Sequence, residues 1–308
     1  MIRPGEAKYV FVNGKGGVGK TSVAASLAVR WAASNRKCLL VSTDPAHNLG
    51  DLFDCDLAGN NIQKLAHNLD GLEIDTARET KDYINAVKER VKNVVDPELI
   101  QEANRHIDLA AQSPGAAEAA MLQRFVDIIL DYGDSYDNML FDTAPSGHTL
   151  RLLALPDIMS SWMEGMLTIR QSLQEVDQGS GSEEQDSVLQ ILKRRKQRLQ
   201  QVHELLIDEK NAEFLLVTLP EQIPLAETKR VHNMLKEYRF SCRYLIVNKV
   251  IGDTESSDFL AGKKRVQSKA LEAIDGALGK LYRIDLPYFP HEITGYDVLV
   301  KAGKYLEG

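Results

Sequence analysis

Two lysines stand five residues apart in the glycine-rich segment Val12–Ser22, VNGKGGVGKTS. From Gly14 to Thr21 the segment matches the P-loop pattern, in which a glycine, four further residues and a second glycine precede a lysine and a threonine. Backbone N–H groups of such a loop bind phosphate at the N-terminus of a helix. We expect Lys20 to pair with the β- and γ-phosphates of a nucleotide and the Thr21 hydroxyl to ligate Mg²⁺. The predicted nucleotide-binding residues of the loop are Gly14, Gly16, Gly17, Val18, Gly19, Lys20, Thr21 and Ser22.

An acidic residue at the end of a buried strand is expected to complete the magnesium site. In Asn138–Pro145, NMLFDTAP, an apolar run ends at Asp142. A carboxylate in this position beside a P-loop acts on Mg²⁺ through a water molecule. An aspartate after a strand also serves commonly as a turn residue or a helix cap, so this prediction depends on the neighbouring loop.

These motifs resemble those of a known ATPase family. The loop GKGGVGKT, with its early lysine, is similar to the deviant Walker A motif of the signature-lysine ATPases. Ser42–Asp51, STDPAHNLGD, resembles switch I of the arsenite-pump-driving and tail-anchored-protein-targeting ATPases. Asp142–Leu153, DTAPSGHTLRLL, resembles their switch II. The resemblance runs from about Lys8 to about Val298, which is nearly the whole chain.

Three further residues match nucleotide contacts of that family. Glu221 lies in LPEQIPLAETKR and Asn248 in IVNKV, and the amide of Asn248 is able to hydrogen-bond adenine. The segment Leu286–Leu299, LPYFPHEITGYDVL, resembles the adenine loop, in which Pro287 restricts the backbone. The resemblance therefore adds Glu221, Asn248 and Pro287 to the predicted nucleotide site.

The resemblance also implies a purpose for the second lysine. In such ATPases the early lysine reaches across a homodimer to the nucleotide of the other subunit, so Lys15 is expected to act much as an arginine finger does. Since the loop geometry already places Lys20 on its own phosphates, a second cation must either crowd it or act elsewhere. By the same resemblance, Asp44 orients or deprotonates the attacking water. The alternatives are a solvated loop lysine for Lys15 and a turn or cap role beside Pro45 for Asp44.

The elements that must position these residues alternate between strands and helices. Short apolar runs predict strands at Tyr9–Val12, Cys38–Val41, Met139–Phe141, Phe214–Val217 and Tyr244–Val247, with Gly71–Ile74 as a weaker candidate. Near-continuous apolar strands are typical of a parallel sheet covered by helices on both faces. We therefore predict an α/β fold with a doubly wound, mainly parallel sheet.

Two regions carry only helical patterns and interrupt this alternation. They run from about Thr80 to Tyr132, with a break at Ser113–Gly115, and from Pro156 to Asp208. We interpret residues 1–308 as a single P-loop ATPase domain into which one helical subdomain, formed by about 80–132 and 156–208, is inserted.

Composition narrows the classes of partner and compartment. The 308 residues carry a formal net charge of −7 at pH 7, which argues against a nucleic-acid partner because a phosphate backbone selects basic surfaces. Cys38, Cys55 and Cys242 have neither metal-ligand nor disulfide spacing, which favours a reducing compartment. No segment approaches the ~18 uninterrupted apolar residues of a membrane span. We expect a soluble cytoplasmic protein.

The segment Ile158–Leu167, IMSSWMEGML, is the candidate client site. Met159, Met163 and Met166 fall on one helical face with Trp162 nearby, and flexible methionines suit surfaces that accept varied apolar segments. With the family resemblance, this pattern predicts a targeting chaperone that binds the hydrophobic transmembrane segment of a tail-anchored protein. An ordinary core-facing stripe explains the same pattern equally well.

The alternative function is the energy-coupling subunit of an arsenite efflux pump, whose partner would be an arsenite membrane transporter. Soft metalloids favour thiolate ligands, and in the arsenite-stimulated relatives such cysteines lie in the inserted helical region. The corresponding segment Ser113–Met121, SPGAAEAAM, contains no cysteine. This disfavours thiolate-gated stimulation by arsenite but leaves docking to a pump open.

Overall fold

The computed structural model describes residues 6–43, 48–57, 60–92, 100–112, 114–143, 183–252 and 258–306. The chain divides into two compact units. The first is formed by Met1–Asp75, Gly133–Thr149 and Leu205–Gly308 and contains the sheet. The second is formed by Thr76–Tyr132 and Leu150–Glu204, and its described residues are largely helical. The boundaries of the helical subdomain given above remain a prediction.

The first unit is built on a sheet that has eight strands in the described part of the chain. The strands are β1 (Tyr9–Asn13), β2 (Cys38–Ser42), β3 (Gln63–Ala66), β4 (Leu69–Glu73), β5 (Asn138–Asp142), β6 (Ala212–Thr218), β7 (Tyr244–Val250) and β8 (Tyr282–Pro287). Their order across the sheet is β3-β4-β2-β5-β1-β6-β7-β8. Every neighbouring pair is parallel except β3 and β4, which are antiparallel. The predicted α/β fold with a mainly parallel sheet is confirmed.

Helices follow most of the strands, as the sequence predicted. Those between the strands of the first unit, or after them, are α1 (Lys20–Ala33), α2 (Asn48–Phe53), α7 (Gln222–Glu237), α8 (Asp258–Leu278) and α9 (Tyr296–Tyr305). The others are α3 (Thr76–Lys92), α4 (Ile100–Ala111), α5 (Pro114–Tyr132) and α6 (Glu183–Ile207). The predicted break near Ser113 is confirmed, since α4 ends at Ala111 and α5 begins at Pro114, a residue that favours the first turn of a helix. Within the described residues, no helix is both long enough and apolar enough to cross a membrane.

Strand β1 lies at the centre of the sheet and is buried along its whole length. Its side chains alternate between the two faces, so Val10 and Val12 join the apolar cluster that contains α1. Phe11 points to the other face and stacks on Phe141 of β5 and Phe214 of β6, with ring centroids 4.6 and 4.7 Å apart. The pairing register places these three rings side by side. The middle of the sheet is thereby packed on both faces.

The strands that the sequence did not predict lie at the two edges of the sheet. β3 has only half-buried and exposed residues, and β8 is largely exposed as well. In β8 the charged residues Arg283 and Asp285 form an ion pair at 3.0 Å. Edge strands commonly carry charge, so they lack the continuous apolar run that identifies a buried strand. The weaker candidate Gly71–Ile74 corresponds to β4, which begins earlier in the chain, at Leu69.

Candidate functional site

The P-loop leaves the sheet where the chain connections diverge. β1 lies between β5 and β6, and the loop runs from its carboxyl end to the first residue of α1, Lys20. In open α/β sheets, ligands bind in the crevice at such a switch point, beyond the carboxyl ends of the strands. The fold therefore places the predicted phosphate-binding loop where this architecture binds ligands.

Three positions of the loop require glycine, either because the backbone is left-handed or because a Cβ would collide with a neighbouring atom. Gly17 and Gly19 have φ angles of 80° and 92°, in the left-handed region that L-residues rarely adopt. A side-chain Cβ on Gly14 would collide with the carbonyl oxygen of Val217, and one on Gly19 would collide with the amide nitrogen of Asn248. Glycine at these positions lets the loop turn sharply and pack against the ends of β6 and β7.

The N-terminus of α1 is the positive end of the site. Gly19 is its N-cap, the amide of Val23 donates to the Gly19 oxygen at 3.0 Å, and the first turn contains no acidic residue. The Lys20 side chain is 4% exposed, and its ammonium donates to the Lys15 carbonyl oxygen at 3.4 Å. A helix N-terminus with a buried lysine and glycine-supported backbone N–H groups suits a phosphate chain.

A cavity of about 640 Å³ opens from this helix end. Its volume is in the range of small-molecule sites. It is lined by Gly17, Gly19, Lys20, Thr21, Ser22, Asp51, Leu52, Asn248, Lys249 and the continuous segment Pro287–Thr294. The lining thus includes part of the P-loop and the segment predicted to hold adenine, and the volume leaves room for both phosphates and a base.

Four predicted nucleotide-binding residues do not line the cavity. The cavity lining does not include Gly14, Gly16, Val18 or Glu221. Gly14 and Val18 lie buried in the loop, and Gly16 is exposed. Glu221 is the N-cap residue of α7 and is exposed.

Polar residues gather where β1, β2 and β5 end. Asp142 is fully buried at the last position of β5, and its backbone oxygen accepts the amide of Thr43 at 3.0 Å. The Thr143 hydroxyl donates to the Val12 oxygen at 2.9 Å and lies 3.0 Å from the side-chain oxygen of Asn13. These bonds join the strand ends from which both switch-like segments depart. Asp142 thus has a rigid support beside the P-loop, as a carboxylate that acts on a metal through water requires.

Helix α2, which belongs to the switch I-like segment, is tied down at both ends. The buried Glu73 at the end of β4 accepts the Leu49 amide at 3.2 Å. The amide of Gly295, directly after the base side of the cavity, donates to the Leu52 oxygen at 3.0 Å. The sequence analysis missed both contacts. Glu73 has no sequence feature that distinguishes it from other acidic residues near strand ends, and a hydrogen bond from a backbone N–H does not depend on the residue type.

Some predicted residues lie outside the described ranges. Asp44, expected to act on the attacking water, is one of them. The candidate client residues Met159, Trp162, Met163 and Met166 are also outside these ranges. Lys15 is described and is half-buried in the P-loop, in a more open environment than Lys20.

The arrangement fits ATP with Mg²⁺. The glycine-supported loop and the buried Lys20 suit the negative charge of a phosphate chain, the Thr21 hydroxyl at the cavity is an oxygen ligand of the kind Mg²⁺ accepts, and the buried Asp142 would act on the metal through water. The segment Pro287–Thr294 supplies the apolar and polar atoms that a base requires.

Comparison with known proteins identifies a family that matches nearly the whole chain. A family model described as anion-transporting ATPase matches residues 7–308. The putative arsenical pump-driving ATPase 2 of Aquifex aeolicus (strain VF5) is 34% identical over 299 residues, which cover 97% of this chain and 99% of the relative. ATPase GET3B of Arabidopsis thaliana is 32% identical over 323 residues, which cover 97% of this chain and 78% of the relative.

ATPase ARSA1 of Chlamydomonas reinhardtii is 31% identical over 335 residues, which cover 97% of this chain but only 42% of that longer relative. The family match and these similarities extend over nearly the whole chain rather than over the P-loop alone. The chain belongs to the anion-transporting ATPase family and is an ATP-hydrolysing enzyme.

Proposed function

We propose that the protein is a Mg²⁺-dependent ATPase that cycles between an open and a nucleotide-closed homodimer and targets tail-anchored membrane proteins. The cavity of about 640 Å³ between the N-terminus of α1 and the segment Pro287–Thr294 is the observation that carries the nucleotide part. It combines a helix end for phosphates with an adjoining loop for the base, and the family membership supplies the reaction.

Each site residue has a proposed role. ATP with Mg²⁺ supplies the phosphoryl bond that is hydrolysed. The loop amides and Lys20 hold the phosphates, and Thr21 holds the metal while Asp142 orders a water molecule beside it. Asp44, which follows Thr43 in the sequence, is proposed to orient the attacking water; the backbone of Thr43 is bonded to the end of β5.

The homodimer is proposed from the pair of lysines. Lys20 is buried at the start of α1, where it serves the phosphates of its own chain, and its ammonium contacts the backbone of Lys15. A second cation beside it would be repelled by Lys20 unless it acted on another charge. The half-buried Lys15 is therefore proposed to stabilise charge on the phosphates of the partner subunit, with the partner's loop doing the same in return.

Mixing two inactive variants tests this exchange. Lys15→Ala and Asp44→Asn subunits are each expected to bind ATP and to hydrolyse it slowly as pure dimers. A mixed dimer would have one complete site, made of Asp44 from the first subunit and Lys15 from the second. Random pairing of equal amounts should therefore restore about a quarter of the parent turnover.

The matched control for this mixture lacks the donated lysine altogether. Lys15→Ala subunits are mixed with subunits that carry both Lys15→Ala and Asp44→Asn, and no activity should return. Recovery in this control, no recovery in the first mixture, or full turnover by a monomeric chain would contradict the cross-subunit role of Lys15.

The switch segments resemble those of both the arsenite-pump-driving and the tail-anchored-protein-targeting ATPases, and the targeting role is supported by similarity to the relative named GET3B. The methionine-rich segment that contains Met159, Met163 and Met166 is the proposed client site. The second candidate, coupling to an arsenite transporter, is favoured by the name of the Aquifex relative. The lack of cysteine in Ser113–Met121 weighs against stimulation by arsenite through thiolates.

A trapped-complex experiment separates the two candidates. Asp44→Asn protein, which should bind ATP without turning it over, is expressed in cells and recovered in the presence of ATP. Lys20→Ala, which should not hold ATP, is the matched control. Enrichment of proteins with a single C-terminal hydrophobic helix in the trap alone supports targeting. Enrichment of a polytopic transporter, or stimulation of ATP hydrolysis by arsenite, supports the pump and contradicts targeting.

A further inference from the structure

The end of β7 connects the two sides of the cavity. Asn248 in this strand contacts the P-loop, and the carbonyl oxygen of Val250 accepts the amide of Tyr288 at 2.9 Å. Tyr288 belongs to the segment that lines the base side of the cavity. The end of β7 thus contacts the P-loop through Asn248 and the segment predicted to hold the base through Val250.

The Asn248 amide is fixed against the P-loop by contacts on both of its polar atoms. Its nitrogen donates to the Val18 carbonyl oxygen at 2.8 Å, and its oxygen accepts the Lys249 amide at 2.8 Å. The residue is 2% exposed. The same nitrogen packs against Gly19 so closely that a Cβ on Gly19 would collide with it. The amide therefore both bonds to the loop and packs on it, one residue before Lys20.

The backbone that carries Asn248 is itself held in place. Gln267 of α8 receives the Ile251 amide on its side-chain oxygen at 2.9 Å and donates to the Ile251 oxygen at 3.0 Å. Lys249 has a φ of 60°, a left-handed conformation that is unfavourable for a non-glycine residue. Such a conformation persists only where the surrounding contacts hold it in place. Gln267 is not among the residues that line the cavity. The strand end is thus also anchored from outside the site, through bonds separate from the Asn248 contact with the loop.

We propose that Asn248 is a positioning residue that holds the P-loop in its phosphate-binding shape through the Val18 carbonyl. This inference rests on the proposed nucleotide site, and it assigns Asn248 a role toward the loop beyond the adenine contact implied by the family resemblance. Without this bond, the loop amides are no longer held together toward one point, and the affinity for any phosphate chain falls whatever base it carries.

The test uses ligands with and without a base. Binding of Mg-ATP, Mg-GTP and Mg-tripolyphosphate is measured by calorimetry for the full chain and for Asn248→Ala. Loss of one well-made buried hydrogen bond is expected to weaken all three by a similar factor, about tenfold. Any additional loss that affects ATP alone measures the adenine contact, whereas the fall in tripolyphosphate affinity measures the support of the loop. Asn248→Ser, whose side chain is too short to reach Val18, should behave alike and serves if the alanine variant does not fold.

Gln267→Ala is the matched control, because it loosens the same strand end without removing the donor to Val18. It should lower the melting temperature while it keeps the tripolyphosphate affinity within about twofold. Hydrogen exchange of the P-loop amides, measured without ligand, should accelerate in the Asn248 variants and not in Gln267→Ala.

Two results would overturn the positioning role. In the first, Asn248→Ala binds tripolyphosphate as tightly as the parent and loses only its preference for ATP, which makes Asn248 a base contact alone. In the second, Gln267→Ala loses as much tripolyphosphate affinity as Asn248→Ala, which makes the effect one of general loosening. If the parent itself binds neither ATP nor tripolyphosphate, the nucleotide site is wrong rather than the role of Asn248.

Discussion

Alanine at Gly19 is expected to cost far more stability than alanine at Gly17, although both glycines have left-handed backbones. Their φ angles are 92° and 80°, so each substitution forces an L-residue into a region that costs ~1–2 kcal/mol. A small part of this cost is offset because alanine restricts the unfolded chain more than glycine does. At Gly17 no atom of the described residues lies within 4 Å of an added Cβ, so backbone strain and this offset are the effects expected there. We expect about 1 kcal/mol there.

At Gly19 the added Cβ would also collide with the amide nitrogen of Asn248. The Asn248 side chain is buried and bonded at both ends, to Val18 and Lys249, so it moves only by giving up these bonds. Each is worth about 1 kcal/mol net, and a polar group left unpaired costs more. The free energy of unfolding of Gly19→Ala should therefore fall by about 3 kcal/mol, roughly 2 kcal/mol more than that of Gly17→Ala.

Urea unfolding without nucleotide, followed by circular dichroism, measures both variants free of any effect on binding. A double-mutant cycle then identifies the cause of the difference. In an Asn248→Ala background the collision is gone, so Gly19→Ala should cost no more than Gly17→Ala. Equal losses for the two single variants, or an excess that survives in the Asn248→Ala background, would refute the packing of this amide on the loop.

Three further outcomes are expected. Gly303→Ala in α9 should lose about 1–3 kcal/mol in urea unfolding, because its Cβ would come within 2.6 Å of a backbone oxygen of α1. Gly276→Ala in α8, which has open space, should gain up to about 1 kcal/mol, and equal behaviour of the two would contradict the helix contact. Arg243→Met should lose about 3–5 kcal/mol by the same assay, because Glu213 is 1% exposed and bonds to the guanidinium at 2.6 Å; an unchanged midpoint would show that this pair contributes nothing. Burial, and secondarily a neighbouring lysine, lowers the folded-state pKa of His232 from its ordinary 6.5, so the unfolded chain binds more protons below that pH. The unfolding free energy should fall as the pH drops below about 6.5 and fall less in His232→Gln, whereas identical slopes would exclude this histidine as the cause.

Much of the sheet could be predicted because its inner strands are buried on both faces. Runs such as YVFV at Tyr9–Val12 contain no charged residue, and a short, continuous apolar run is typical of a strand covered on both sides. β8 escaped prediction for the opposite reason, since its charged and exposed residues satisfy an edge position and resemble a loop. Strands could be predicted where burial restricts them to apolar residues, and could not be predicted where exposure to solvent allows many residue types.

The candidate site divides in the same way. The P-loop motif is local, because a helix N-terminus and its preceding glycines are consecutive residues whose chemistry is set by their spacing. The supports of that loop are not local. Asn248 reaches Val18 across 230 positions of chain, and Gln267 anchors the strand behind it. No sequence pattern predicts such a contact, because which asparagine or glutamine reaches the loop or the strand end depends on the tertiary arrangement of the strands.

The sequence by itself determined the α/β class, and it predicted the phosphate-binding loop and carried the resemblance that implies two chains, because each depends on residues that are neighbours or on composition imposed by burial. The tertiary structure decided which side chains hold the loop open for phosphate, through the order of the strands and the register that brings β7 beside β6. Hydrogen bonds act over about 3 Å, so their partners are fixed by folded proximity and not by distance along the chain.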